Sequence, residues 1–356
     1  MRKYMRWLAL AAGALAFGLA GWLLASPVPK AAGKADSAAA ARSPVRPAAH
    51  RAGLAGREGG GGTRDRACPG QPQQPGSEAA VACPLSVTTT SLPDATLGAR
   101  YSVRMLAGGG TPLYTWSVAD RWLPPGLSLS PAGVISGSPV LAGVFDFTVR
   151  AADPAGDSSA ASLSVTVGGC TKVITGRYDR PLTIDAGVTC LDQAAISGPV
   201  TITPGAVVSI QASTLGGPLT ARSPARLALC GSTVSGPASV TGTAGPVLLG
   251  GASGTPCPAD TITGLVTLTA DSGGVTLGRA TISGPAHITG NTGPVIVTGN
   301  TISGPASITG NSGGTVVAGN SVNGSLSCSA DTPAPAHGGT PNTSNGPATG
   351  QCAGLT

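Results

Sequence analysis

The sequence predicts an all-β chain in four parts: an N-terminal apolar leader, a flexible stalk, a seven-strand β-sandwich and a parallel β-helix of about six coils. Three observations lead there. The 356 residues include 55 Gly and 31 Pro, yet only 10% are charged and 3% aromatic. Glu occurs only at Glu58 and Glu78, and Gly, Thr, Ser and Val dominate instead, which favours strands and turns over helices. Short β-rich runs alternate with turn residues over 84–168, and beyond residue 170 a motif recurs about every 20 residues.

The leader comes first. Arg2, Lys3 and Arg6 precede an uncharged run from Trp7 to Ala25. It reads as a signal peptide or as an N-terminal membrane anchor through residues 7–25, and either places the rest of the chain outside the cell. Residues 26–83 are Ala, Pro, Gly and Arg without an apolar period, including Gly59-Gly60-Gly61-Gly62, which predicts a disordered stalk. Residues 1–83 hold 11 basic and 4 acidic groups, residues 84–168 hold 4 and 5, and residues 169–356 hold 6 and 6. The net charge of +6 therefore belongs to the leader and stalk, and a neutral folded part offers no nucleic-acid footprint. Eight cysteines (Cys68, Cys83, Cys170, Cys190, Cys230, Cys257, Cys328 and Cys352) lie beyond the leader, as disulfides in an oxidising compartment require. Neighbour pairing predicts 68–83, 170–190, 230–257 and 328–352. No CxxC pair occurs and His50, His287 and His337 are far apart, so no metal site or cofactor is expected.

The sandwich is assigned to 84–168. Its seven runs are Leu85–Thr90, Arg100–Ala107, Leu113–Val118, Leu127–Ser130, Val134–Ser136, Val144–Ala152 and Ala161–Val167. Tyr101, Tyr114, Trp116, Phe145 and Phe147 are five of the chain's eleven aromatics and can supply one core. Four ordered motifs stand out: GGGTPLYTWS from Gly108, LPPGLSL from Leu123, GVISGSP from Gly133 and AGVFDFTV from Ala142. On these the segment resembles the immunoglobulin-like, cadherin-like domains of secreted bacterial proteins. The resemblance implies a surface or spacer module. Some cadherin-like relatives bind calcium through acidic clusters; here only Asp153 and Asp157 stand close together, and the pair reads as a strand-end turn.

Residues 169–330 carry the repeat. Thr281–Asn300 and Thr301–Asn320 are identical at 14 of 20 positions, and earlier copies begin at Ala195, Thr214, Thr233 and Thr261. Aliphatics recur at the second position (Ile262, Ile282, Ile302) and the eighth (Leu268, Ile288, Ile308) of each copy, so each copy reads as one coil whose core forms only by stacking. Asn291 with Asn311, and Asn300 with Asn320, should form two columns whose amides bond along the stack and whose backbones take left-handed turns. This part resembles the secreted parallel β-helix repeat proteins of bacteria. Residues 331–356 show no strand pattern and read as a tail that caps the last coil, tied by Cys328–Cys352.

Does this chain hold a catalytic constellation? Glycoside cleavage needs two facing carboxylates. Residues 169–356 contain six Asp and no Glu. Asp260 and Asp271 read as turn residues, Arg279 is the nearest cation, His287 reads as an outward surface residue, and Asp179, Asp185 and Asp192 crowd the first coil. No catalytic residue is assigned. Trp122 is the candidate ligand contact, set against simple packing on Pro124 and Pro125. The expectation is an exported, non-catalytic structural or adhesive protein, extracellular or at the cell surface. Its expected partners are cell-wall or host-surface glycans or proteins. A polysaccharide-binding or polysaccharide-degrading β-helix, and a calcium-dependent adhesion module, are the alternatives.

Overall fold

A computed structural model describes residues 83–251 and 256–356. The leader, the stalk and Cys68 lie outside the described residues; Cys83 is disulfide-bonded. Every regular element among the described residues is a strand, and no helix there is long and apolar enough to cross a membrane.

Alternating apolar residues over 84–168 build the sandwich. One sheet orders Ala95–Thr96, Ser158–Gly168, Gly143–Ala152 and Thr115–Arg121; the second orders Tyr101–Arg104, Val134–Gly137 and Leu127–Leu129. A third, two-stranded pair joins Ser86–Val87 to Ala107–Gly108. Nine strands replace the seven expected. The run from Arg100 to Ala107 breaks at Met105, which buries its side chain at 3% exposure, and Ala95–Thr96 adds a short parallel pairing to Val167 and Gly168. Trp116, Phe145 and Phe147 are buried in the core. The tyrosines close it at the rim: Tyr101 donates to the Pro93 carbonyl (2.9 Å) and Tyr114 to the Gly109 carbonyl (2.6 Å). Gly133 explains one motif directly. Its φ is +81°, and a Cβ there would stand 2.6 Å from the indole nitrogen of Trp116.

The repeat forms a succession of short strands around a single apolar core. In the turn that starts at Thr281 these are Thr281–Ile282, Ala286–Thr289 and Val295–Thr298. Ile282, Ala286, Ile288, Val295 and Val297 point inward with at most 1% exposure. Each pairs in parallel with its counterpart one turn away, as in Leu268↔Ile288↔Ile308. The first corner is tight: a Cβ on Gly304 would lie 2.7 Å from the nitrogen of Pro285 one turn back, which excludes any side chain.

Nine parallel strands stack on one face, from Leu182–Ile184 to Ala348–Gly350, so the solenoid has about nine turns where six were expected. Two regions account for the difference. Residues 172–194 form an opening turn, with Lys172–Tyr178 paired to Gly187–Ile196, although their wording departs from the repeat. The C-terminal segment is a further turn and not a strandless tail: Thr343–Ser344 pairs with Ser321–Val322 and Ala348–Gly350 with Leu326–Ser329. Buried Leu355 and the Cys328–Cys352 bridge close it. Cys170–Cys190 and Cys230–Cys257 are also formed, with Cα separations of 5.8 and 5.2 Å.

Candidate functional site

Two places gather chemically capable groups: the corners of the solenoid and the seam where the sandwich meets it. At the corners, polar side chains enter the interior. One column runs Ser213, Ser232, Asp260, Ala280, Asn300, Asn320 and Asn342; the other runs Thr243, Asp271, Asn291, Asn311, Asp331 and Gln351. Apart from Ala280, which has no side-chain oxygen, and Thr243, whose hydroxyl accepts no such bond, each side chain offers one oxygen to the backbone N–H one turn before it. Asn291 Oδ1 receives Asp271 N–H at 2.9 Å, and Asn311 Oδ1 receives Asn291 N–H at 3.0 Å. The Asn Nδ2 groups donate back to backbone carbonyls, Asn300 to Leu277 at 2.8 Å and Asn320 to Val297 at 2.8 Å. The left-handed backbone expected at Asn belongs instead to the residue before it, such as Gly290, Gly299, Gly310 or Ala270. That residue turns the corner so that the amide points in.

Asp260 and Asp271 are therefore members of these columns and not surface turns. Both are fully buried. Asp260 accepts from Ser232 N–H at 2.8 Å and Asp271 from Thr243 N–H at 2.7 Å, through one oxygen each. The second oxygen of each, and of Asp331, has no hydrogen-bond partner. Burial, the largest cause, pushes Asp260 up to about 7 against the opposing Ser232 N–H, and burial likewise raises Asp271.

The charged groups that a catalytic coil would have to draw on do not converge. Asp260 and Asp271 occupy different corners. Arg279 donates to the carbonyls of Gly251 and Cys257, which holds the inserted loop to the wall. His287 is exposed on an outer face. Asp179 accepts from Ser197 (2.7 Å) and Arg177 (2.6 Å), and these bonds, Ser197 first, hold its carboxyl below the usual range. Asp185 lies beside Thr203. Asp153 is engaged by the N–H groups of Thr111 and Asp157 at 2.7 and 2.9 Å, so it caps its turn. Among the described residues no cluster of three His, Cys, Asp or Glu could hold a metal.

The seam is the second place. Buried residues of the sandwich and the solenoid merge into one cluster. Ala142 N–H donates to Ser209 Oγ (3.3 Å), and Gln211 Nε2 donates to the Ala142 carbonyl (2.7 Å). Ala206–Gln211, Arg226–Cys230 and Val247–Gly250 lie beneath the sandwich and are buried on both sides. Along the seam runs a cleft of about 310 Å³ that includes Val144, Phe145, Asp192 and Gln211 in its walls. A cavity of about 390 Å³ shares Val144 and Phe145 with it and adds Asp120, Arg121, Trp122 and Asp146. Trp122 is 49% exposed and Val144 66%. A bulge between Val118 and Asp120, followed by Arg121 at φ +58°, turns Trp122 out of the sheet. Arg121 reaches Asp146 at 3.9 Å. Trp122 was singled out by sequence; Asp120 and Asp146 were not, because strand pairing within the sandwich brings them beside it, and Gln211 was not, because only the docking of the two parts places it there.

Residues 81–168 match the protein family described as "Putative Ig domain". No curated protein matches the chain. Two solved structures from Bacteroides fragilis NCTC 9343, described as putative α-galactosidases, resemble part of it at 19% and 15% identity. They cover 28% and 34% of this chain, with TM-scores of 0.19 and 0.22. The matched part spans only 19% and 28% of those chains. Likeness of that extent carries no argument about either fold or activity.

Proposed function

From a chain in which an immunoglobulin-like sandwich at 81–168 is followed by a parallel solenoid of about nine turns, we propose a secreted or surface-displayed structural and adhesive module. The observation that carries this reading is the seam. The sandwich lies against the outer wall of the solenoid through a shared apolar core, which suits a stiff spacer that holds a binding edge in fixed geometry. At that edge, the Trp122 ring stands beside Asp120, Arg121 and Asp146. An exposed indole next to hydrogen-bonding groups is the usual recipe for seating a sugar ring. The separated and internally bonded Asp260 and Asp271 support a scaffold role over hydrolysis or elimination.

The test is retention of the full chain on cell-wall fragments and on a panel of neutral and uronate-containing polysaccharides, with and without calcium. Retention should fall in Trp122→Ala and persist in Asp271→Asn. Depolymerisation that Asp271→Asn abolishes would overturn the non-catalytic reading. Retention indifferent to Trp122→Ala would remove the seam as the adhesive edge.

A further inference from the structure

The nine-stranded face of the solenoid presents an ordered outer surface. Its outward residues fall at alternate positions of each strand, so they form two parallel ranks. One rank runs from Ser239 through Thr267, His287 and Ser307 to Ser327; the other runs from Thr241 through Thr269, Thr289 and Thr309 to Ser329. Pairing over these five turns continues without a register shift, so each residue stands over its counterpart. Nine of the ten positions carry a hydroxyl, and the tenth is His287. Arg222 ends the second rank one turn earlier. All ten are exposed or half-buried. Neighbouring grid points hold one another: Ser307 and Ser329 each bring a hydroxyl oxygen to 3.4 Å from Thr309 Oγ1.

Such a face excludes most ligand classes by its own chemistry. It has no concavity to enclose a small molecule, no aromatic to stack a sugar and no row of cations for a nucleic acid. What it does have is two-dimensional order. Turns repeat about every 4.8 Å along the axis, and alternate residues of a strand stand about 6.6 Å apart. A rectangular net of hydroxyls with these spacings, interleaved with threonine methyls, is complementary to a ligand that is itself a lattice. The prism face of hexagonal ice presents water oxygens on a rectangular net whose shorter repeat is close to the spacing of the turns. We propose that this face binds ice, its hydroxyls occupying lattice positions while the methyls order the water between them. The proposal is independent of the Trp122 seam.

The face also names its own defect. His287 interrupts the first rank at its middle, where Ser307 and Thr267 flank it. The test measures thermal hysteresis and inhibition of ice recrystallisation with the full chain. The unaltered protein should show both. Thr289→Lys and Thr309→Lys should abolish them, and His287→Thr, which completes the rank, should raise them. Thr276→Lys and Ile296→Lys, half-buried and outward on the third face, should leave them unchanged. Circular dichroism and melting temperature confirm that each variant is folded. Absence of both effects in the unaltered protein overturns the proposal, as does activity that survives Thr289→Lys or fails to rise in His287→Thr. Binding to crystalline cellulose or chitin that depends on the same residues, without effect on ice, would assign the face to a polysaccharide surface instead and would overturn it equally.

Discussion

At the scale of single residues, the notable substitution is Asp for Asn inside the corner columns. An Asn supplies one acceptor for the turn before and one donor for a backbone carbonyl, so both its polar atoms are satisfied. An ionised Asp supplies only acceptors and leaves its second oxygen buried without a hydrogen-bond partner. A protonated Asp restores the donor, which is consistent with the raised pKa of Asp260. The pH dependence has a definite sign. The folded state keeps its proton up to about 7 while the unfolded side chain releases it near the ordinary 3.8. The folded state therefore binds more protons in this window, and stability is fully present below the lower value and lost as pH rises through the upper one. The full shift corresponds to a loss on the order of 4 kcal/mol, reduced by whatever local opening admits water. Asp260→Asn should flatten the fall in melting temperature between pH 4 and pH 7 and raise stability at pH 7.5. Thermal melts of both proteins across that range check it; parallel profiles would show that Asp260 is ionised in the fold.

At the scale of the element, strand register decides which side chain tolerates a charge. Ile288 and Ile308 are fully buried, and Ser307 faces outward one position from Ile308. Ile288→Asp or Ile308→Asp should cost about 4 kcal/mol or more, since an unpaired charge would enter a core stacked on both sides. Ser307→Asp should change stability little, and chemical denaturation of the three variants compares them directly. This register was legible from the sequence because the aliphatics recur at fixed positions in each copy. The polar columns were legible too, though only half read: Asp271, Asn291, Asn311 and Asp331 are spaced by 20, which already places the two Asp residues in the Asn column. The opening and closing turns were not legible in the repeat. Capping turns need only inward aliphatics such as Leu182 and Ile184, and they are free to abandon the rest of the motif.

At the scale of the whole folded unit, the seam sets cooperativity. A solenoid alone couples each turn only to its neighbours, so it is free to fray from an end. Here the sandwich spans several early turns at once, and the sequence carries the mark of it. Ala228 and Leu248, which follow Ser209 in one outward column, are apolar, and the strands that hold them read as nearly continuous apolar runs. That pattern belongs to parallel strands covered on both faces. One turn later the same outward column holds Thr276, half-buried, where coverage ends. Which sandwich residues meet that wall could not be read from the chain, because no local pattern encodes the docking of Ala142 on Ser209 and Gln211. The consequence is a sharp contrast between two adjacent positions of one column. Leu248 is 6% exposed beneath the sandwich, so Leu248→Glu places a charge in the shared core and should release the two parts from each other. Scanning calorimetry should then show two transitions in place of one, the sandwich melting first because its own core is the smaller. Thr276→Glu should leave the single transition where it was. A single unshifted transition in Leu248→Glu would mean that the seam contributes little, and that sandwich and solenoid hold together by chain connectivity alone.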